Sequence, residues 1–146
     1  MDEGVAEEAE GVHAALAVYE ALVELLPSRV PDALGTETKV LRWLLHRVRR
    51  EGSDGNKLYA SELLSILLAA SGPSRAALGE REGGVDALLR ACAPFRSRDP
   101  DGEAEEEMCE NLFGCLATAL TEASNRELFV EAEGVELMVM MCENLF

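Results

Sequence analysis

The chain has 146 residues, of which 28 are acidic and 13 basic, so its net charge at pH 7 is −15. This acidity disfavours direct binding to nucleic-acid phosphates and favours basic peptides or protein tails as partners, unless it serves only to keep the surface hydrated. Leucine and alanine are abundant, valine and isoleucine are scarce, and no apolar run approaches 18 residues. The composition therefore predicts one helical domain, residues 1–146, without a membrane span.

The first half of the chain contains three stretches with apolar residues at helical spacing. The pattern predicts a helix over residues 12–26, which Pro27 and Pro31 end. A second helix is predicted over residues 38–50, with its arginines near the negative C-terminus. A third is predicted to reach residue 70 from a cap at or near Asp54.

The second half reads as shorter helices separated by glycine and proline. The pattern predicts, in order, helices over residues 74–81 and 85–93, a polar loop over 94–102, and a long helix over 104–123. Ser124 and Glu127 have the spacing of a capping box that opens another short helix. Gly134 is predicted to break that helix, with a last helix from residue 135 to the end.

Two stretches of the sequence resemble each other at a spacing of about 50 residues. Arg75 and Gly84 recur as Arg126 and Gly134 within similar segments, and a fainter copy begins near Arg29. Each copy consists of a short helix, a break, a second helix and a long helix, which is the armadillo arrangement. We therefore predict an armadillo-type right-handed solenoid of about two and a half repeats, residues 12–70, 73–123 and a partial 124–146, with a globular bundle as the alternative.

Side chains that could support catalysis or metal binding are scattered along the chain. Cys92, Cys109, Cys115 and Cys142 form no paired motif, and His13 and His46 are isolated, so buried free thiols are expected rather than a zinc site or a catalytic centre. Six acidic residues fall at calcium-loop spacing: Asp99, Asp101, Glu103, Glu105, Glu107 and Glu110. Ala104 replaces the glycine that such a loop requires, so an acidic helix N-terminus is the better interpretation. No metal, cofactor or enzyme activity is predicted.

Three further patterns are interpreted as structural. The LxxLL strings over residues 22–26, 41–45 and 64–68 are expected to pack into the core rather than dock on a partner. Trp43 is expected to pack between repeats. A basic cluster is expected to form a solvated helix face, with a small anion-binding patch or an import-like signal as alternatives; it consists of Lys39, Arg42, Arg47, Arg49 and Arg50.

Several segments are more specific than apolar spacing alone, because their polar positions also match a known family. They are residues 7–13 (EEAEGVH), 56–68 (NKLYASELLSILL), 106–113 (EEMCENLF), 124–127 (SNRE) and 133–138 (EGVELM). Together they resemble the beta-catenin-like protein 1 family of nuclear armadillo-type proteins. The resemblance runs in register from about residue 1 to residue 141. Residues 141–146 (MCENLF) instead repeat residues 108–113, so the last six residues are not expected to hold the family's register.

The resemblance implies a nuclear, non-enzymatic scaffold associated with the spliceosome through a cell-division-cycle-five-like factor and its complex. It implies binding to basic nuclear-localisation-type segments of pre-mRNA splicing factors, with no direct contact to nucleic acid or membrane, and it leaves self-association open. A general armadillo adaptor for import or signalling is the alternative. We expect six residues to face a binding groove, in which glutamates pair with lysine or arginine: Asn56, Tyr59, Glu62, Glu106, Glu110 and Asn111.

Overall fold

Helices make up all the regular secondary structure of residues 6–52 and 54–144, which the computed structural model describes, with side chains from residue 8 onward. The α-helices are α1 (Ala6–Leu25), α2 (Val30–Thr36), α3 (Val40–Val48), α4 (Gly55–Ala70), α5 (Gly72–Glu80), α6 (Gly84–Cys92), α7 (Glu103–Ala119), α8 (Ala123–Glu131) and α9 (Gly134–Glu143). The all-α prediction is confirmed. Predictions that touch residues 1–5, 53, 145 and 146 lie outside the described residues.

The helices pack in columns that follow their order along the chain. The long helices α1, α4 and α7 contact one another in sequence, and the short helices α2, α5 and α8 do the same. Helix α3 contacts both α4 and α6, and α6 contacts α7. One continuous apolar core runs between the columns, with leucine its commonest member. Of the described helices, none combines the length and the apolarity needed to cross a bilayer.

Two differences from the predicted helices arise from proline. Pro31 does not end a helix but lies in the first turn of α2, where its missing N–H costs no hydrogen bond. Within the predicted loop over 94–102, Pro94 occupies the start of a 3-10 turn over Ala93–Arg96. The predicted cap at Asp54 is confirmed, because its Oδ1 accepts a hydrogen bond of 2.8 Å from the Lys57 amide.

The predicted capping box at Ser124 is wrong. Helix α8 begins at Ala123, so Ser124 already lies within its first turn, and the N-cap residue, Glu122, makes no side-chain cap. The junction between α7 and α8 is stabilised by a side chain of α8 instead. The Arg126 guanidinium donates hydrogen bonds to the carbonyls of Leu120 and Thr121 at the end of α7. A side-chain bond from the first turn of α8 to the end of α7 is therefore found where the sequence suggested a cap.

The short helices approach one another closely at two equivalent glycines. A Cβ on Gly35 would lie 1.8 Å from Ser74 Oγ, and a Cβ on Gly79 would lie 1.9 Å from Asn125 Oδ1. Ser74 and Asn125 also bind across the interface. Ser74 Oγ donates to the Pro31 carbonyl at 2.8 Å, and Asn125 Nδ2 donates to the Arg75 carbonyl at 2.9 Å. Each contact thus pairs a glycine with a polar side chain from the next short helix.

The break before α9 lies one residue earlier than predicted. Glu133 has a left-handed backbone (φ 59°), the conformation that Gly83 adopts before α6 (φ 60°), whereas Gly134 belongs to α9. Gly134 is needed for packing, because a Cβ there would lie 2.5 Å from the Phe129 ring. Gly84 has the same role against Leu78.

Burial of individual side chains corrects several expectations. The strings over 41–45 and 64–68 have buried leucines, but the string over 22–26 does not. Leu22, Leu25 and Leu26 are exposed, because α1 packs on α2 and α4 with its other side. Cys92 and Cys115 are buried as predicted, whereas Cys109 is half-buried and Cys142 is exposed on α9.

The basic cluster divides into buried and exposed members. Arg47 is only 2 % exposed and lies against the Trp43 ring, with its guanidinium carbon 5.2 Å from the ring centroid, so the predicted solvated face is wrong for this residue. Trp43 itself packs against Tyr19 of α1, as expected for a packing role.

Gly79→Ala should destabilise the chain by about 1–3 kcal/mol, because its methyl group would collide with Asn125 in a packed interface. Urea unfolding followed by circular dichroism measures this free energy. Gly55→Ala is the matched control, since a Cβ at Gly55 meets no atom within 4 Å. Equal effects of the two substitutions would contradict the close approach of α5 and α8.

Glu133→Gly should stabilise the chain by about 0.5–1 kcal/mol, because glycine adopts a left-handed backbone without steric cost. Gly83→Ala should destabilise it by a similar amount, since a Cβ at Gly83 meets no neighbour and only the backbone strain counts. The two unfolding free energies test the equivalence of these positions. A loss of stability in Glu133→Gly would refute it.

Candidate protein-interaction face

Each of the three long helices α1, α4 and α7 carries exposed or half-buried glutamates. On α4, Tyr59, Glu62 and Ile66 follow one another at helical spacing and are half-buried or exposed. We name as the long-helix face these three residues together with glutamates of the two neighbouring long helices, α1 and α7: Glu20, Glu24, Tyr59, Glu62, Ile66, Glu106 and Glu110.

Tyr59 is the best-defined residue of this face. Its hydroxyl donates a hydrogen bond to Glu20 Oε2, and its ring lies 5.4 Å from the His13 ring. Burial raises the pKa of the Tyr59 hydroxyl to about 12, and the hydrogen bond to Glu20 and the charges of Glu62 and Glu24 add to the effect. Carboxylates from two helices thus surround one phenol.

Asn56 and Asn111 have a different environment from the other predicted site residues. Asn56 is 9 % exposed and donates to the Ala9 carbonyl at 2.8 Å, which joins α4 to α1. Asn111 donates to Ser61 Oγ at 3.1 Å, which joins α7 to α4. Both amides therefore connect neighbouring long helices and fix their spacing.

The remaining predicted site residues are available to solvent. Glu62, Glu106 and Glu110 are exposed, and Glu106 and Glu110 lie one helical turn apart on α7. The sequence did not single out Glu20, Glu24 or Ile66. Only the packing of α1 against α4 brings the first two to Tyr59, across about 40 residues of chain.

The acidic segment with calcium-loop spacing is organised around an arginine. Glu105 accepts two hydrogen bonds from the Arg98 guanidinium, at 2.6 and 2.7 Å, and one from the Asp101 amide. These bonds hold the pKa of Glu105 at about 2. Among the described residues, no group of three or more histidines, cysteines, aspartates or glutamates is placed to hold a metal ion.

Comparison with known proteins identifies the family of this helical chain. The sequence model of a family described as catenin-beta-like, Arm-motif containing and nuclear matches residues 1–145. The chain belongs to the catenin-beta-like family.

Curated members of the family match the chain over nearly its whole length. Beta-catenin-like protein 1 of Homo sapiens and that of Mus musculus are each 42 % identical to it over 142 residues, which are 97 % of this chain and 25 % of theirs. The beta-catenin-like protein 1 homolog of Schizosaccharomyces pombe is 35 % identical over 142 residues, 96 % of this chain and 25 % of its own length. The chain therefore spans about a quarter of the length of the relatives it matches.

The unfolding free energy should fall as pH rises from 10 to 12, because the folded state keeps the Tyr59 proton that the unfolded state has lost. This contribution is complete below pH 10 and disappears as pH passes 12. Tyr59→Phe should therefore show a shallower decline in urea unfolding. The buried thiols of Cys92 and Cys115, whose pKa values burial raises to about 12, cancel between the two proteins. If the unfolding free energy fell equally steeply in both proteins, the raised pKa would not belong to Tyr59.

Proposed function

We propose that the chain is a non-enzymatic scaffold that binds basic segments of other proteins on its long-helix face. The observation that carries the proposal is the set of exposed or half-buried carboxylates on three successive long helices, with Tyr59 and Ile66 on the middle one. Membership of an Arm-motif family supports it, since stacked helical repeats bind extended partners along one surface.

The chemistry of the face suits lysine and arginine. Carboxylates accept charge-assisted hydrogen bonds from both cations, and arginine binds them bidentately. Tyr59 and Ile66 provide apolar surface for the aliphatic stems of those side chains. The net charge of −15 increases the rate at which a cationic segment reaches the face.

We propose that the partners are pre-mRNA splicing factors carrying nuclear-localisation-type segments, including the cell-division-cycle-five-like factor and its complex, and that binding takes place in the nucleus. The description of the family as nuclear supports this location. A general adaptor for import or signalling is the second candidate, because the same carboxylates would bind basic segments of other proteins.

We also propose that the helix columns are those of a right-handed armadillo-type solenoid within a single domain. The contacts support units α2–α4, α5–α7 and a partial α8–α9, and α1 occupies the long-helix column ahead of the first unit. In this scheme Arg75 and Arg126 are equivalent. Each donates to carbonyls at the end of the preceding long helix, Arg75 to Leu68 and Arg126 to Leu120.

Reversing the charges of Glu106 and Glu110 to lysine should weaken binding of a fluorescein-labelled lysine- and arginine-rich peptide by about tenfold, as expected for losing two exposed pairings and adding repulsion. It should also flatten the salt dependence of binding, since fewer ion pairs are screened. Fluorescence anisotropy at several salt concentrations measures both quantities.

Glu127→Lys with Glu131→Lys is the matched control. These glutamates are also exposed and one turn apart, but they lie on α8. Equal losses in both double variants would show that only net charge matters and that the long-helix face is not the site. The same two double variants, expressed in cells, separate the two candidate functions. If splicing factors co-purify with the unchanged protein and with the α8 variant but not with the α7 variant, the first candidate is favoured.

A further inference from the structure

A second surface of the chain has the opposite charge. The ends of α3 and α6, the start of α4 and the segment before α7 enclose an open cavity of about 410 Å³. This volume lies within the range of about 300–1,000 Å³ that is usual for small-ligand sites. Its cationic lining residues come from separate parts of the chain: Arg49, Arg50, Lys57, Arg90 and Arg98.

Lys57 organises the wall of the cavity between α3 and α4. Its ammonium donates to the Arg50 carbonyl at 2.5 Å and to the Gly52 carbonyl at 3.0 Å. Gly52 has φ +83°, a conformation that favours glycine and lets both carbonyls converge on one ammonium. Burial lowers the pKa of Lys57, as expected for a cation removed from water. The segment that carries Arg49 and Arg50 is therefore held in place.

The cations of the cavity differ in their partners. Arg98 pairs with Glu105, and Arg90 with Asp86 at 2.7 Å. Arg49 and Arg50, in contrast, form no ion pair with any residue in the described part of the chain. Within the described residues, two guanidinium groups without an ion-pair partner thus line a cavity whose other cations bind protein oxygens.

The remaining lining combines apolar side chains with two carboxylates, the exposed Glu51 and Glu105, which is paired with Arg98. Ala91, Pro94 and Phe95 supply its accessible apolar surface, with Val48 and Met108 buried behind them. The Arg98 guanidinium lies over the Phe95 ring, 5.2 Å from the centroid. Such a site offers charge for an anionic head and apolar surface for the group that bears it.

We propose that this cavity binds a phosphate monoester on a side chain of a protein partner. Arginine guanidinium groups match phosphate oxygens bidentately. Of the arginines that line the cavity, Arg49 and Arg50 are the ones with no ion pair to any described residue. The apolar lining receives the stem of the phosphorylated residue. This site is separate from the long-helix face and takes a ligand of opposite charge.

The acidity of the whole chain selects a small anion over a nucleic acid. At physiological ionic strength charges are screened beyond about 8 Å, so a single phosphate in the cavity experiences mainly the cations around it. A longer polyanion would extend past the rim to the glutamates of the rest of the surface. The charge pattern therefore favours a phosphorylated peptide over RNA or DNA.

The test uses the 146-residue chain and defined probes. Phenyl phosphate, titrated against the ¹⁵N-labelled chain, should shift the backbone amides of residues 49–52, whereas benzyl alcohol should not. A phosphoserine peptide should bind at least about tenfold more tightly than its unphosphorylated form, because charged hydrogen bonds to arginine are strong. Equal affinity of the two peptides, or tighter binding of a single-stranded oligonucleotide, would overturn the proposal.

Variants locate the site. Arg49→Glu with Arg50→Glu should reduce phosphopeptide affinity at least about tenfold. Arg49→Gln with Arg50→Gln, which removes the two charges without reversing them, should also reduce the affinity. The matched control is Arg29→Glu with Lys39→Glu, which reverses two exposed cations outside the cavity and should retain affinity within about twofold. An equal loss in the control would assign the effect to net charge and reject the cavity.

Discussion

The close approach of successive short helices is the constraint on which the rest of the structure depends. Gly35 and Gly79 leave no room for a side chain, and Ser74 and Asn125 fill that space while bonding to the preceding helix. Because each contact fixes the distance and the register of two short helices, the attached long helices must follow at the same spacing. The Asn56 amide, which joins α4 to α1, repeats the principle in the long-helix column.

This stacking separates the charges of the chain in space. The long helices carry exposed glutamates, whereas the segments that lead from α3 into α4 and from α6 into α7 bring arginines together around one cavity. A chain with a net charge of −15 can therefore present a cationic site, because screening makes local surroundings more important than the total. Two partners of opposite charge could bind without competing for the same surface.

The sequence predicted most helices and the cap at Asp54, because hydrophobic periodicity and capping are local properties. It did not predict which side chains are buried when the helices pack together. Leu26 has the spacing of a core residue and is exposed, while Arg47 belongs to a basic run and is buried against Trp43. On the candidate face, the exposed glutamates could be read from helical spacing. The contact of Glu20 with Tyr59 and the cavity could not, since both join residues about 40 positions apart.

The first residues of α6 and α9, Gly84 and Gly134, show which positions the two copies of the repeat share and why. Gly84 and Gly134 are retained in both, because a Cβ at either would enter Leu78 or Phe129 and overpack the core, at a cost of about 1–3 kcal/mol or more. The preceding left-handed position needs only a tolerable backbone and is occupied once by glycine and once by Glu133. A non-glycine residue there costs about 1–2 kcal/mol and disturbs no neighbour. Steric demands from packing therefore preserve the repeat more strictly than backbone conformation does, which explains why the repeat is visible in the sequence at Gly84 and Gly134 but not one residue earlier.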